Sequence, residues 1–127
     1  MRSLLLALCL AQLTLLGGCV ASVPRAGQPM FKGVELYSWQ DPATRGWRFA
    51  LLPGTNRRKA ANEVRDSPGV VDSVGDLKAR ISRLAPAEQV FWEVPATGEF
   101  PLPPAAVVDD IIRSAGSDDV AIQVTGN

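Results

Sequence analysis

Apolar and polar residues alternate in four short stretches, and apolar residues recur at helical spacing in two longer ones. Residues 34–39 (VELYSW) are aromatic and β-branched and predict a first strand. Residues 40–46 hold Pro42 and Gly46 and predict a turn. Residues 47–52 predict a second strand, with Trp47, Phe49 and Leu51 on one face and Arg48, Ala50 and Leu52 on the other. Pro53-Gly54 ends that strand, and Thr55 or Asn56 is placed to cap a brief helix over 57–65. Ser67-Pro68-Gly69 stops it. Ser73 and Asp76 have capping-box spacing, and Val74, Leu77, Ile81 and Leu84 follow as one apolar stripe ahead of Pro86. Residues 89–94 predict a third strand. Pro103-Pro104 opens a helix whose stripe is Val107, Val108, Ile111, Ile112 and Ala115, with Gly116 as its left-handed stop. Residues 120–125 predict a fourth strand.

The order is β-β-α-α-β-α-β, the first of the three helices being brief. Two strands joined by a tight turn pair antiparallel, and two joined through a helix pair parallel by a right-handed crossover. Both constraints are met by an α+β fold: a small mixed four-stranded sheet with two main helices on one face. Residues 31–127 form this single domain.

The N-terminus follows neither period. Arg2 precedes a thirteen-residue run, 4–16, in which only Gln12 and Thr14 are polar. A spanning helix needs about 20 apolar residues, so the run fits the apolar region of a secretory signal. It ends in Leu16-Gly17-Gly18-Cys19. This stretch resembles the lipobox of bacterial lipoproteins. The resemblance implies cleavage before Cys19, a diacylglycerol on its thiol and an acylated amino group, so that residues 1–18 are the signal peptide. Two or more acyl chains give stable anchoring. In such lipoproteins Val20 rather than aspartate after the cysteine implies sorting to the outer membrane where one exists, with the domain facing the periplasm, or else the outside of the cell. Residues 20–30 (VASVPRAGQPM) carry two prolines and no period, and read as a tether reaching roughly 30 Å in polyproline-like extension.

Composition narrows the chemistry. The chain has 127 residues and no histidine, which removes the commonest general base and metal ligand. Its two cysteines are Cys9, within the leader, and Cys19. The mature domain then offers no disulfide and no thiolate site. Thirteen cations balance thirteen acids, so bulk charge gives no reason to expect nucleic acid. The charge is unevenly placed: residues 45–65 hold six cations against Glu63, and residues 85–127 hold seven acids against Arg113.

The domain also resembles a group of small bacterial proteins to which no activity is attached. The matching segments are 32–39 (KGVELYSW), 51–57 (LLPGTNR) and 88–92 (EQVFW), followed by the Leu102-Pro103-Pro104 helix start. The resemblance implies one compact domain and no particular reaction.

Two stretches are candidate contacts. Gly54, Thr55, Asn56, Arg57, Arg58 and Lys59 put a turn, a hydroxyl and three cations at an expected helix start, where backbone N–H groups and the dipole favour an anion. A phospholipid headgroup, a cell-wall carboxylate or an acidic protein would fit. Solvated cations on a tight turn are the plainer alternative, and Walker spacing is lacking. Among the aromatics, Trp39 and Trp47 are the candidates for an exposed contact, against the core role tryptophans usually take. No cofactor, metal ligand set or catalytic group is indicated. The leading reading is a membrane-anchored, non-catalytic binding or assembly module of the envelope. The alternatives are an envelope hydrolase using carboxylates such as Glu35, Glu93 or Asp72, and a purely structural component.

Overall fold

A computed structural model describes residues 33–55 and 57–126. By internal contacts the chain divides into a unit ending at Phe31 and a unit from Lys32 to Asn127. The expected signal, Cys19, the tether and Asn56 lie outside the described residues.

The elements in chain order are β1 (Val34–Gln40), β2 (Trp47–Pro53), α1 (Ala61–Arg65), β3 (Val70–Val71), α2 (Val74–Ile81), β4 (Gln89–Val94), α3 (Ala105–Ser117) and β5 (Ala121–Gly126). They build one mixed sheet in the order β3-β2-β1-β4-β5. The class is α+β, with five strands rather than the four expected. β2 is antiparallel to β1 and to β3, while β4 is parallel to β1 and to β5. The strand left unread is β3. Two valines are too few to show a period, and they follow a proline-glycine turn. Gly69 lets that turn close: its carbonyl accepts from the Leu51 N–H at 3.2 Å, and a Cβ there would stand 2.2 Å from the Leu51 carbonyl oxygen.

Alternation along β1 splits its side chains between two cores. Leu36, with Phe49 of β2 and Val90 and Trp92 of β4, meets Leu77 and Ile81 of α2 and Val108, Ile111 and Ala115 of α3. These side chains are almost wholly removed from water, and each leucine, isoleucine, valine and phenylalanine among them contributes about 1.5–3 kcal/mol of transfer free energy. Tyr37 and Trp39 point the other way, joining Ala50, Leu52, Val64 of α1 and Phe100. The second face is therefore covered as well, by α1 and the loop carrying Phe100. Across the first core, Trp92 Nε1 donates to Ser38 Oγ at 3.0 Å, and Ser38 Oγ donates to the Pro101 carbonyl at 2.7 Å. That chain satisfies two buried polar groups and ties the loop to the sheet.

Helix ends depart from expectation in three places. α1 begins at Ala61, not Arg57, and neither Thr55 nor Asn56 is its cap. α2 is capped by Ser73, whose Oγ accepts the Asp76 N–H at 3.0 Å, but it stops at Ile81; Leu84 packs on the core from the following turn. α3 runs through Gly116 to Ser117, and the left-handed residue is Asp119, at φ 58°. Asparagine and aspartate reach that region more easily than other non-glycine side chains. Among the described residues, no helix is long and apolar enough to cross a membrane.

Candidate functional site

Glu35 lies between Val34 and Leu36 on β1, and alternation turns it to the face of Tyr37. Its side chain is only 8% exposed. A carboxylate so placed needs partners, since an uncompensated buried charge is costly. Three donors meet it. Lys59 Nζ lies 2.6 Å from Oε1, the Tyr37 hydroxyl donates to the same oxygen at 2.8 Å, and the Thr55 N–H approaches Oε2 at 3.5 Å.

Lys59 is as buried as its partner, with 6% of its side chain exposed. Its ammonium also donates to the Pro53 carbonyl at 3.1 Å and to Thr55 Oγ1 at 3.3 Å, so its three protons are all engaged. The pair thus pins the loop after β2 to the start of β1. Burial, the hydrogen bond to Glu35 and the charge of Glu35, in that order, push the Tyr37 phenol well above its ordinary range. Tyr37 therefore remains a donor at any physiological pH.

The rest of the basic stretch has other occupations. Arg57 grips Glu63 with both guanidinium nitrogens, at 3.1 and 2.5 Å. Those hydrogen bonds hold Glu63 below the usual carboxylate range. The Gly54 N–H donates to the Gly33 carbonyl at 3.0 Å. Arg58 is exposed. The helix start on which an anion cradle at 54–59 would depend lies instead at Ala61. The backbone over 57–60 is not helical, α1 has one turn, and Lys59 has no proton left to give.

The same loop borders a pocket. It is open to solvent, has a volume of about 380 Å³, and is lined by Leu52, Pro53, Thr55, Lys59, Glu63, Ser67 and Pro68. Its surface is mostly apolar, with Glu63 at an exposed position and the Lys59 stem along one wall. A second open pocket of about 340 Å³ shares Leu52 and Pro53 and is otherwise lined by Gly33, Val34, Leu51, Arg80 and Leu84.

The aromatic candidates are placed differently from expectation. Trp39 is 7% exposed. It packs edge-on against Phe100 at 5.8 Å, and Phe100 meets Tyr37 at 5.0 Å. The Arg65 guanidinium closes the group from outside, 5.4 Å from the Phe100 ring and 6.0 Å from Trp39. Trp47 is half-buried against the first core. Both tryptophans serve packing.

Of the carboxylates of the hydrolase reading, Glu35 and Asp72 are held apart by different partners. Glu35 is held by Lys59 and Tyr37. Asp72 pairs with Arg48 at 3.7 Å, and Arg48 stands opposite Trp39, four residues along β1 from Glu35. Asp110 bridges α3 to Lys78 of α2 at 2.5 Å. Among the described residues, no group of three or more metal-ligating side chains converges. The ion pairs of Arg48, Arg57 and Lys59 go to Asp41, Asp72, Glu63 and Glu35, none of them in the acidic C-terminal third.

Sequence reasoning missed Glu35–Lys59 as a unit and missed Phe100. The first had a signal: an acid on the aromatic face of a strand requires a cation. Nothing in the chain said which of thirteen cations it would be. No family model matches the chain, and no curated protein and no solved structure matches it.

Proposed function

We propose that this chain is a lipid-anchored envelope protein whose folded unit is a non-catalytic binding module. Cys19 carries the lipid, and the outer membrane, periplasmic side, is the location that Val20 favours. The contact site is the pocket between the 53–59 loop, α1 and Pro68. The observation that carries this reading is the placing of an open, mostly apolar pocket beside the buried ion pair of Lys59 with Glu35. Preorganised apolar concavities with a few polar groups at the margin are where small or side-chain-sized groups bind. Leu52, Pro53 and Pro68 offer apolar wall, while Thr55, Ser67 and Glu63 offer hydrogen-bonding positions. The occupant that fits is an apolar side chain of an envelope protein, with its backbone across the rim. Cell-wall and headgroup ligands supply less apolar surface.

Two measurements test it. Cells fed a labelled fatty acid should label the wild-type chain and not the Cys19→Ser variant. A photoreactive residue at position 63 should yield a discrete protein adduct in intact cells, and Ser67→Trp, which fills the pocket, should abolish it. Labelling that survives Cys19→Ser removes the anchor, and an adduct indifferent to Ser67→Trp removes the site.

A further inference from the structure

β5 closes one side of the sheet, and its own outer side meets no strand among the described residues. It pairs with β4 over its whole length, from Gln89 opposite Ala121 to Val94 opposite Gly126. Open edges are usually blunted by charge, proline, a bulge or extreme shortness. The opposite edge obeys this: β3 has two residues and is flanked by Pro68 and Asp72. β5 uses none of these devices. Its six residues, AIQVTG, include no charge and no proline. Val124 is 40% exposed, and among the described residues it is the large hydrophobic side chain left exposed.

The ladder also fixes which peptide groups are open. The Ala121 N–H donates to the Glu88 carbonyl at 3.2 Å. In a parallel ladder, alternate residues address the same neighbour, so Ala121, Gln123 and Thr125 turn their backbone groups to β4. Ile122, Val124 and Gly126 turn theirs outward. We infer that β5 pairs with β5 of a second copy, antiparallel, about a two-fold axis at Gln123. That register places Ile122 opposite Val124 of the second copy as a hydrogen-bonded pair, and Val124 opposite its Ile122 as another. It puts both aliphatic side chains on one face against aliphatic partners. Ala121 and Thr125 oppose each other on the second face, and the two Gln123 side chains meet on the axis. An edge whose outward groups and face pattern both read the same in either direction suits its own copy better than an unrelated strand. The two sheets then join as an isologous dimer.

The test uses the full chain in its membrane. Gln123 would oppose Gln123 in a non-hydrogen-bonded pair, with Cα atoms about 4.5 Å apart, inside the disulfide range. Under a mild oxidant, Gln123→Cys should give a covalent dimer about tenfold above that from Asp109→Cys, an exposed position on α3, because a formed interface raises local concentration above chance encounter. Wild type sets the baseline for Cys9 and Cys19. Adding Val124→Lys should return the yield to the Asp109→Cys level. As a second arm, Ala121→Cys and Thr125→Cys on differently tagged copies should link to each other, and neither variant to itself. A Gln123→Cys yield no higher than Asp109→Cys would overturn the proposal. So would a product at any mass other than twice the chain, which would mark a foreign strand as the occupant.

Discussion

At the residue scale the governing contact is Lys59 with Glu35. Both charges have left water, so each depends on the other for its solvation. Lys59→Met leaves the Glu35 carboxylate with the Tyr37 hydroxyl and one long N–H contact, and should cost about 3–5 kcal/mol in urea unfolding. Changing both to Met removes the charges together. Its main cost is the unpaired Tyr37 hydroxyl, about 1–3 kcal/mol, so the double variant should be more stable than the Lys59→Met single. A double variant as unstable as the sum of its singles would show that the two groups act separately. Tyr37 offers an independent probe because it is the only tyrosine in the chain. Its folded pKa lies above the unfolded value of about 10, so its contribution to stability is full below that pH and declines as pH rises above it. Tyrosinate absorbance should stay flat through pH 10 and rise only together with unfolding. A smooth rise centred near pH 10, in protein still folded by circular dichroism, would mean the phenol is neither buried nor bonded to Glu35.

At the element scale, period decided what could be read. α2 and α3 carry long apolar stripes, and β1, β2, β4 and β5 are bounded by turn residues, so their types were legible. Ends were less so. Gly116 has the chemistry of a helix stop, yet the helix runs on through exposed Ser117 and Asp119 takes the left-handed position. The brief helix was placed too early because Thr55 looks like a cap from its type alone; its hydroxyl instead accepts from Lys59 and donates to the Arg57 carbonyl. β3 was invisible because its pairing depends on a partner twenty residues away and on space at Gly69. Gly69→Ala tests that dependence. Its methyl group would meet the Leu51 backbone, so β3 must move off β2, at about 1–3 kcal/mol of stability. An unchanged urea midpoint would mean the β2–β3 approach is looser than the geometry indicates.

For the whole molecule, the sheet carries cover on both faces, and the interest falls at its margins. One margin is the end of β1 and β2, where the pocket and the pinned loop lie; the other is the open edge of β5. The pocket's lining comes from Leu52 of β2, the loop after it, α1 and the turn before β3, which no local pattern links. It became visible only once long-range pairing had brought those segments together. On the proposed binding reading, the buried pair is what would limit the ordering cost of the loop. The most direct measurement is therefore the adduct yield from a photoreactive residue at position 63, in cells, in wild type and in Lys59→Met at matched levels of folded protein. Release of the loop from Glu35 should cut the yield several-fold, while an identical probe at Asp109 on α3 stays at background in both. Equal yields from wild type and Lys59→Met would contradict the account, because recognition would then owe nothing to the pair that holds the loop.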